Sequence, residues 1–186
     1  MKLTGSYNIP VDKKTVWDAL NNPDILKQAI PGCDEFIKNS ETSFTATATN
    51  KIGPFNASFT GEVELKDLNP PNSYKIVGEG NSAVGFASGE AFVELADNNG
   101  VTTLSYTVEA NVGGKIAQVG SRLIDMTAKK MADIFFGKFS ELITPEDKKL
   151  EKNTPEPKEG SNKKLIYIHA AGALIILTAL AVYFLK

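Results

Sequence analysis

The sequence predicts an α+β fold, in which a seven-stranded antiparallel sheet is wrapped around one long C-terminal helix, with two short helices after the first strand. Three observations predict it. Residues 1–142 alternate between apolar and polar side chains at the period of a β-strand. Clusters of turn residues divide this stretch into short runs. A stretch with a helical period follows it, and a strongly apolar segment near the C-terminus predicts one additional, transmembrane helix.

The first elements are a strand and two short helices. Leu3–Val11 alternates as a strand, and Lys13–Leu20 has the apolar spacing of a helix, with Asp12 in position to cap it. A second short helix is predicted over Asp24–Ile30, with Pro23 at its first turn. Six further strands are predicted over residues 33–40, 42–52, 55–68, 73–82, 85–96 and 101–112.

The last element of the domain is a long helix, predicted over Lys115–Ile143 after Gly113 and Gly114. Its apolar residues recur every three or four positions. They are Ile116, Val119, Leu123, Met126, Ala128, Met131, Ile134 and Phe135. A helix of this length measures about 43 Å, which is enough to cross a whole curved sheet.

The predicted inner face of the sheet has few large side chains at its centre. Its central residues are Ala46, Ala48, Ala57, Gly61, Gly78, Gly80, Gly89 and Ala91. Small residues there either let the helix approach closely or leave a cavity for a ligand. An empty apolar cavity costs stability, so we favour a cavity that holds a ligand.

Two sets of functional residues are predicted on this basis. The residues predicted to line the cavity are Phe44, Ala46, Ala48, Ala57, Phe59, Tyr74, Gly78, Gly80, Leu104, Tyr106, Ile116, Val119, Gly120, Leu123, Met126, Thr127 and Met131. Phe86, Phe92 and Arg122 are candidates for docking a partner, because the alternation turns both aromatic side chains outward. A bulge near Gly85 could instead turn the two phenylalanines inward.

Composition excludes several classes of function. Residues 1–150 carry 15 Lys and Arg against 19 Asp and Glu, and a net charge of −4 disfavours nucleic-acid binding. The only histidine, His169, lies in the apolar C-terminal segment, so zinc sites and nucleophilic pairs that need histidine are not expected in the domain. Cys33 is the only cysteine, and we interpret it as a small buried filler rather than a reactive thiol.

The C-terminal part of the sequence predicts a membrane anchor. Leu165–Leu185 contains no Asp, Glu, Lys or Arg and spans roughly 31 Å as a helix, matching the hydrocarbon core of a bilayer. Lys163 and Lys164 precede it, which predicts a cytoplasmic domain on a single-pass protein of the cell membrane. A buried core helix is the alternative, but the rest of the chain is too small to enclose one. Residues 144–164 are charged and contain proline, and predict a disordered linker after a domain of residues 1–143.

Three sequence segments carry a resemblance to a known family. They are Ile30-Pro31-Gly32-Cys33, the stretch KIGPFNASFTGEVEL at Lys51–Leu65, and the stretch GGKIAQVGSRLID at Gly113–Asp125. With the order of predicted elements, they resemble the CoxG family, which takes its name from the CoxG subunit of carbon monoxide dehydrogenase. That family is part of the START/Bet v 1-like (SRPBCC) superfamily, whose fold is the helix-grip.

The resemblance implies an accessory role without catalysis, and no cofactor. CoxG-like proteins are associated with molybdenum-containing CO dehydrogenases and relatives, and are thought to bring them to the cytoplasmic membrane. The ligand implied is an apolar small molecule, such as an isoprenoid quinone or a lipid. Three alternatives stay open: a helix-grip enzyme of the cyclase or hydratase kind, a general lipid carrier unrelated to CO dehydrogenase, and a purely structural tether whose cavity is collapsed.

Overall fold

The structure is a computed structural model that describes residues 1–145. The strands and the two short helices occur in the predicted order. The strands are β1 Lys2–Ile9, β2 Cys33–Lys38, β3 Ser43–Ile52, β4 Phe55–Asn69, β5 Ser73–Ser82, β6 Gly85–Asn98 and β7 Val101–Gly113. The helices are α1 Lys13–Leu20, α2 Pro23–Ala29, a short 3₁₀ helix Lys115–Val119, and α3 Ser121–Ile143.

The two short helices have the predicted kind of start. The Asp12 side chain accepts a hydrogen bond from the Thr15 backbone N–H at 3.0 Å, which satisfies a free donor at the start of α1. The Asn22 side chain does the same for α2, at 3.0 Å from the backbone nitrogen of Asp24. Pro23 is the first residue of α2, where its missing N–H costs no hydrogen bond.

All strand pairs are antiparallel, and the sheet order is β1-β7-β6-β5-β4-β3-β2. Strands β2 to β7 therefore follow each other as neighbours. Strand β1 instead pairs with β7, with Lys2 opposite Glu109 and Ile9 opposite Thr102. The connection from β1 to β2 crosses the sheet, and α1 and α2 form this crossover. This architecture confirms the predicted α+β helix-grip arrangement.

The predicted start of the long C-terminal helix is wrong. Lys115–Val119 forms a 3₁₀ helix, and α3 begins only at Ser121 and has 23 residues. Gly120 separates them with a φ of +90°, a conformation that side chains rarely adopt and that interrupts the helical hydrogen bonds. The apolar period continued across this glycine, so the sequence pattern alone did not show the break.

The helix α3 packs on the inner face of the sheet through aromatic side chains. Phe135, Phe136 and Phe139 are at most 2% exposed. The ring of Phe136 lies 4.3 Å from that of Tyr7 in β1 and 6.3 Å from that of Tyr106 in β7, between ring centroids. Burial of each large side chain contributes about 1.5–3 kcal/mol, so this cluster fixes the C-terminal half of α3 against β1 and β7.

Within residues 1–145, no helix is both long and apolar enough to cross a membrane. The predicted transmembrane segment at 165–185 and nearly all of the predicted linker lie outside the described residues.

Candidate functional site

The inner face of the sheet has the composition that the alternation predicted. Ala46, Gly61, Gly80 and Ala87 are successive partners in one row across β3, β4, β5 and β6. The next row pairs Val63, Gly78, Gly89 and Ala110 in the same way, across β4 to β7. The small residues therefore form a band that runs across the strands, under the space covered by α3.

Most of the predicted lining residues on the sheet are buried on this face. Phe44, Ala46, Ala48, Phe59, Tyr74, Gly78, Gly80, Leu104 and Tyr106 are buried, and Ala57 is half-buried. Their burial confirms the predicted alternation within each strand, and their role in ligand binding stays a prediction.

A small cavity lies between the two short helices and the sheet. It is lined by Leu20, Leu26, Ile30, Phe36, Phe44, Val63 and Leu65. Its volume is about 10 Å³, which is close to the space of one water molecule. Of the predicted lining residues, Phe44 is in its wall, so a ligand larger than water would have to displace side chains here.

Tyr74 contributes the most unusual group on the inner face. Its side chain is 1% exposed, and its hydroxyl is buried without a hydrogen-bond partner among the described residues. Its ring meets the edge of Trp17 from α1, with 5.3 Å between the ring centroids. Burial raises the pKa of Tyr74 above its usual value, so the hydroxyl keeps its proton and is available as a donor. Buried polar groups are nearly always paired, and no described residue supplies an acceptor for this hydroxyl.

A second unpaired polar atom belongs to α3. The Oδ1 atom of Asp125 is buried and has no hydrogen-bond partner among residues 1–145. Asp125 was not among the predicted site residues, because a carboxylate in the first turns of a helix is normally solvated and stabilises the helix N-terminus. Only the tertiary packing shows that one of its oxygen atoms is covered.

The predicted lining residues of the last helical region fall into three groups. Ile116 is fully buried, and Val119, Leu123, Thr127 and Met131 are half-buried. The Thr127 hydroxyl is already used, because it donates to the Leu123 carbonyl oxygen at 2.8 Å. Gly120 is exposed in the break before α3.

The prediction that Met126 lines the cavity is wrong, since its side chain is 61% exposed. The face of α3 that packs on the sheet consists instead of Ile124, Ala128, Ala132, Phe135, Phe136 and Phe139. The helix carries two apolar stripes, and the predicted lining residues belong to the one that continues from Ile116 across Gly120. The spacing of Ala128, Ala132 and Phe135 was the signal that could have identified the buried face.

The three predicted docking residues are exposed but are not brought together. Phe86 and Phe92 are 49% and 44% exposed on the outer face of the sheet, so they are not turned inward. The ring of Phe86 occupies the space where a side chain at Gly113, its partner in β7, would lie. Arg122 is exposed on α3, the layer on the opposite side of the sheet.

Cys33 is half-buried, and its thiol donates to the Glu35 backbone oxygen at 3.3 Å. Burial raises the pKa of Cys33 to about 11. The thiol is therefore protonated near neutral pH and is a weak nucleophile. Among residues 1–145, no three His, Cys, Asp or Glu side chains are grouped so that they could hold a metal ion.

One protein family matches most of the chain. The family described as the CoxG subunit of carbon monoxide dehydrogenase matches residues 5–144. The chain belongs to the CoxG family. No curated protein matches its sequence.

Solved structures place the CoxG-family domain among proteins of the same fold. A conserved protein from Geobacillus kaustophilus is 30% identical, with a TM-score of 0.73 over 77% of this chain and 95% of the other. The protein TTHA0849 from Thermus thermophilus is 10% identical, with a TM-score of 0.59 over 83% and 100% of the two chains. The ZhuI aromatase/cyclase from Streptomyces sp. R1128 is 12% identical, with a TM-score of 0.52 over 77% and 93%. The last two show a shared fold only.

The segments that resemble the CoxG family have definite structural roles in this chain. Gly32, with a φ of +66°, lies so close to the Thr49 carbonyl oxygen that a Cβ atom would collide with it. This turn is held to β3 by the Thr49 N–H, which donates to the Gly32 oxygen at 2.9 Å. The other two segments meet each other: a Cβ on Gly53, in the β3–β4 turn, would lie 3.2 Å from Leu123 of α3. They therefore close one end of the space between sheet and helix.

Proposed function

We propose that this CoxG-family protein is a non-catalytic accessory protein that binds an apolar ligand between the inner face of its sheet and α3. In this proposal the ligand is an isoprenoid quinone, the domain recruits a molybdenum hydroxylase of the CO dehydrogenase type, and the C-terminal segment anchors it to the cytoplasmic membrane.

The observation that carries the ligand proposal is the unpaired hydroxyl of Tyr74. Leaving a buried donor without a partner costs about 1–3 kcal/mol, and a ligand with an oxygen acceptor would remove that cost. The ring and its surroundings are apolar, so the rest of such a ligand would be hydrocarbon.

A quinone fits this chemistry because its carbonyl oxygens accept hydrogen bonds and its isoprenoid chain is apolar. The band of small residues centred on Gly61, Gly78, Gly80 and Gly89 offers a smooth surface along which an apolar chain could lie. Since the small cavity near Phe44 holds only about 10 Å³, binding would require α3 or the short helices to move outward.

The chemistry of Tyr74 and Cys33 supports an accessory role over catalysis. General acid–base catalysis requires a donor or acceptor positioned beside a second polar group. The Tyr74 hydroxyl has no polar neighbour within hydrogen-bonding distance among the described residues, and burial raises its pKa rather than lowering it. The raised pKa of Cys33 likewise disfavours nucleophilic catalysis.

Recruitment and anchoring are supported by the family and by the sequence. The family is described as a subunit of carbon monoxide dehydrogenase, which supports a molybdenum hydroxylase as the partner. The uncharged run at residues 165–185 has the length of a membrane span. A domain anchored in this way would be close to the membrane quinone pool.

The ligand is tested by native mass spectrometry of the full chain after extraction in mild detergent. The wild-type protein should release a compound with the mass of an isoprenoid quinone. Tyr74→Phe should retain several-fold less of it, because one hydrogen bond to an uncharged group contributes about 1 kcal/mol. Tyr7→Phe is the matched control, since the Tyr7 hydroxyl donates to exposed Asp133 at 2.7 Å, and it should retain as much as the wild type.

Wild-type protein that carries no apolar compound, even after incubation with menaquinone or ubiquinone, would contradict the ligand proposal. Equal retention by wild type and Tyr74→Phe would contradict the role of the hydroxyl alone.

A further inference from the structure

A groove of about 390 Å³ lies on the outer face of the sheet, away from α3. Its walls are the outward side chains of β3, β4, β5 and β6, and its floor includes the backbone of Gly78 and Gly89. The lining residues are Ser43, Glu62, Val63, Glu64, Val77, Gly78, Glu79, Ser88 and Gly89.

Two carboxylates in the groove have no counter-charge. Glu62 and Glu79 are direct partners in neighbouring strands, and neither forms an ion pair with any described residue. Glu64, on the same wall, is paired with Lys66 at 2.9 Å. Like charges directly opposite each other in a sheet are destabilising, so this arrangement costs the isolated domain stability. A cation placed between Glu62 and Glu79 would relieve their repulsion.

The groove also has apolar and aromatic surroundings. Val77 lies on its floor, beside the two carboxylates. Phe86 and Phe92 lie outside the groove lining but project from the same face of β6 as Ser88, and both are nearly half exposed. Glu90 lies between Ser88 and Phe92 on that face and pairs with Lys75 at 2.7 Å. Aromatic side chains beside a polar recess are typical of surfaces that bind other proteins.

We propose that this groove is the docking surface for a protein segment in which a lysine or arginine is flanked by apolar side chains. The cation pairs with Glu62 and Glu79, and the apolar side chains contact Val77, Phe86 and Phe92. A nucleic acid or an anionic lipid surface is disfavoured as the occupant, because its phosphates would meet the same carboxylates. The inference rests on the proposed recruitment of a partner, and adds the surface and the chemistry of the contact.

The test uses the full chain in detergent and two probes. One probe is the fluorescent peptide acetyl-Lys-Leu-Lys-Leu-Lys-amide, and the other is the purified molybdenum hydroxylase of the source organism. The variant Glu62→Gln/Glu79→Gln is compared with Glu35→Gln/Glu94→Gln, which removes the same charge at exposed strand positions outside the groove. Binding is measured by fluorescence anisotropy at low and physiological salt.

The groove variant should bind both probes about tenfold more weakly, with a smaller salt dependence, while the control changes binding less than twofold. The groove variant should also unfold at a higher temperature than the wild type, because the repulsion is removed, and this shows that lost binding is not lost folding. An equal loss in both variants would indicate a general charge effect and overturn the proposal, as would no loss in either.

The two probes separate this inference from the proposed function. If the hydroxylase binds wild type and the groove variant equally well, the groove is not the docking surface, although recruitment stands. The hydroxylase could fail to bind the wild type while the peptide binds the wild type and the control variant but not the Glu62→Gln/Glu79→Gln variant. In that case the docking surface stands and the proposed partner is wrong.

Discussion

At the scale of single residues, the most unusual group on the inner face of the sheet is the Tyr74 hydroxyl, which has no hydrogen-bond partner among the described residues. Its ring packs on that of Trp17, and its hydroxyl is the only side-chain nitrogen or oxygen atom of the described strands that is buried without a hydrogen-bond partner. Tyr7 provides the contrast, since its hydroxyl reaches Asp133 at the domain surface. Two tyrosines on the same sheet therefore have opposite hydrogen-bonding states.

The two tyrosines should respond in opposite ways to the same substitution. In ligand-free protein, Tyr74→Phe should raise the free energy of unfolding by about 1 kcal/mol, because it removes an unsatisfied buried hydroxyl. Tyr7→Phe should lower it by about 0.5–1.5 kcal/mol, because it removes a hydrogen bond. Guanidinium titration followed by circular dichroism measures both. A loss of stability in Tyr74→Phe would show that the hydroxyl has an acceptor after all.

At the scale of elements, the junction between the 3₁₀ helix and α3 sets which face of α3 meets the sheet. Gly120 has the positive φ that reorients the chain, and no atom lies within 4 Å of where its Cβ would be. Gly137, in the middle of α3, is also exposed and uncrowded, but its φ is not positive. Backbone conformation alone thus distinguishes these two glycines.

Replacing each glycine with alanine should therefore give effects of opposite sign. Gly120→Ala should lower the free energy of unfolding by about 1 kcal/mol or more, because alanine is strained at a positive φ. Gly137→Ala should raise it by about 0.5–1 kcal/mol, because alanine favours the interior of a helix. Thermal unfolding of the two variants under identical conditions measures the difference. Stabilisation by Gly120→Ala would contradict the helix break.

The orientation of α3 is tested by placing lysine on each of its apolar stripes. Ala132→Lys should destabilise the domain by more than about 3 kcal/mol or prevent folding, because Ala132 is fully buried and the charge would have no partner. Met126→Lys should change stability by less than about 0.5 kcal/mol, because its side chain is exposed. The measurement is the urea midpoint of each variant. A large loss in Met126→Lys would mean that this stripe faces the sheet.

Local patterns predicted the strands well and the helix orientation poorly, for a physical reason. Alternation has a period of two, so a buried Phe59 or Tyr74 identifies the face of all its neighbours in the strand. The period of a helix depends on where the helix starts, so the break at Gly120 led to a wrong assignment for Met126, although Ala128 and Phe135 of the predicted period are buried.

The unpaired atoms of Tyr74 and Asp125 could not be predicted from the sequence. Whether a polar group finds a partner depends on tertiary contacts between segments far apart in the chain. The opposition of Glu62 and Glu79 likewise depends on the exact register of β4 and β5, which the turn between them sets.

At the scale of the whole molecule, the proposed activities use separate surfaces. The proposed ligand lies between the sheet and α3, and the proposed docking groove lies on the other face of the same strands. Gly78 and Gly89 belong both to the inner band and to the lining of the outer groove. The two proposed sites therefore share part of the backbone of β5 and β6.

Removal of residues 165–186 should release the protein from membranes. The deleted segment includes the uncharged run with the length of a bilayer span, and the domain itself has no such helix among residues 1–145. Membrane fractions washed with alkaline carbonate should retain the full chain and lose the shortened one. Continued retention of the shortened protein would contradict the predicted anchor.

The pairing of β1 with β7 has a consequence for synthesis of the protein in the cell. Lys2 and Glu109, which form an ion pair between these strands, are 107 positions apart in the chain. A ribosome adds about 5–20 residues per second, so roughly 5–20 s pass between the synthesis of β1 and the synthesis of its partner strand β7. During that time its apolar side chains have no sheet to join. The nascent chain should therefore be a client of ribosome-associated chaperones until the seventh strand emerges.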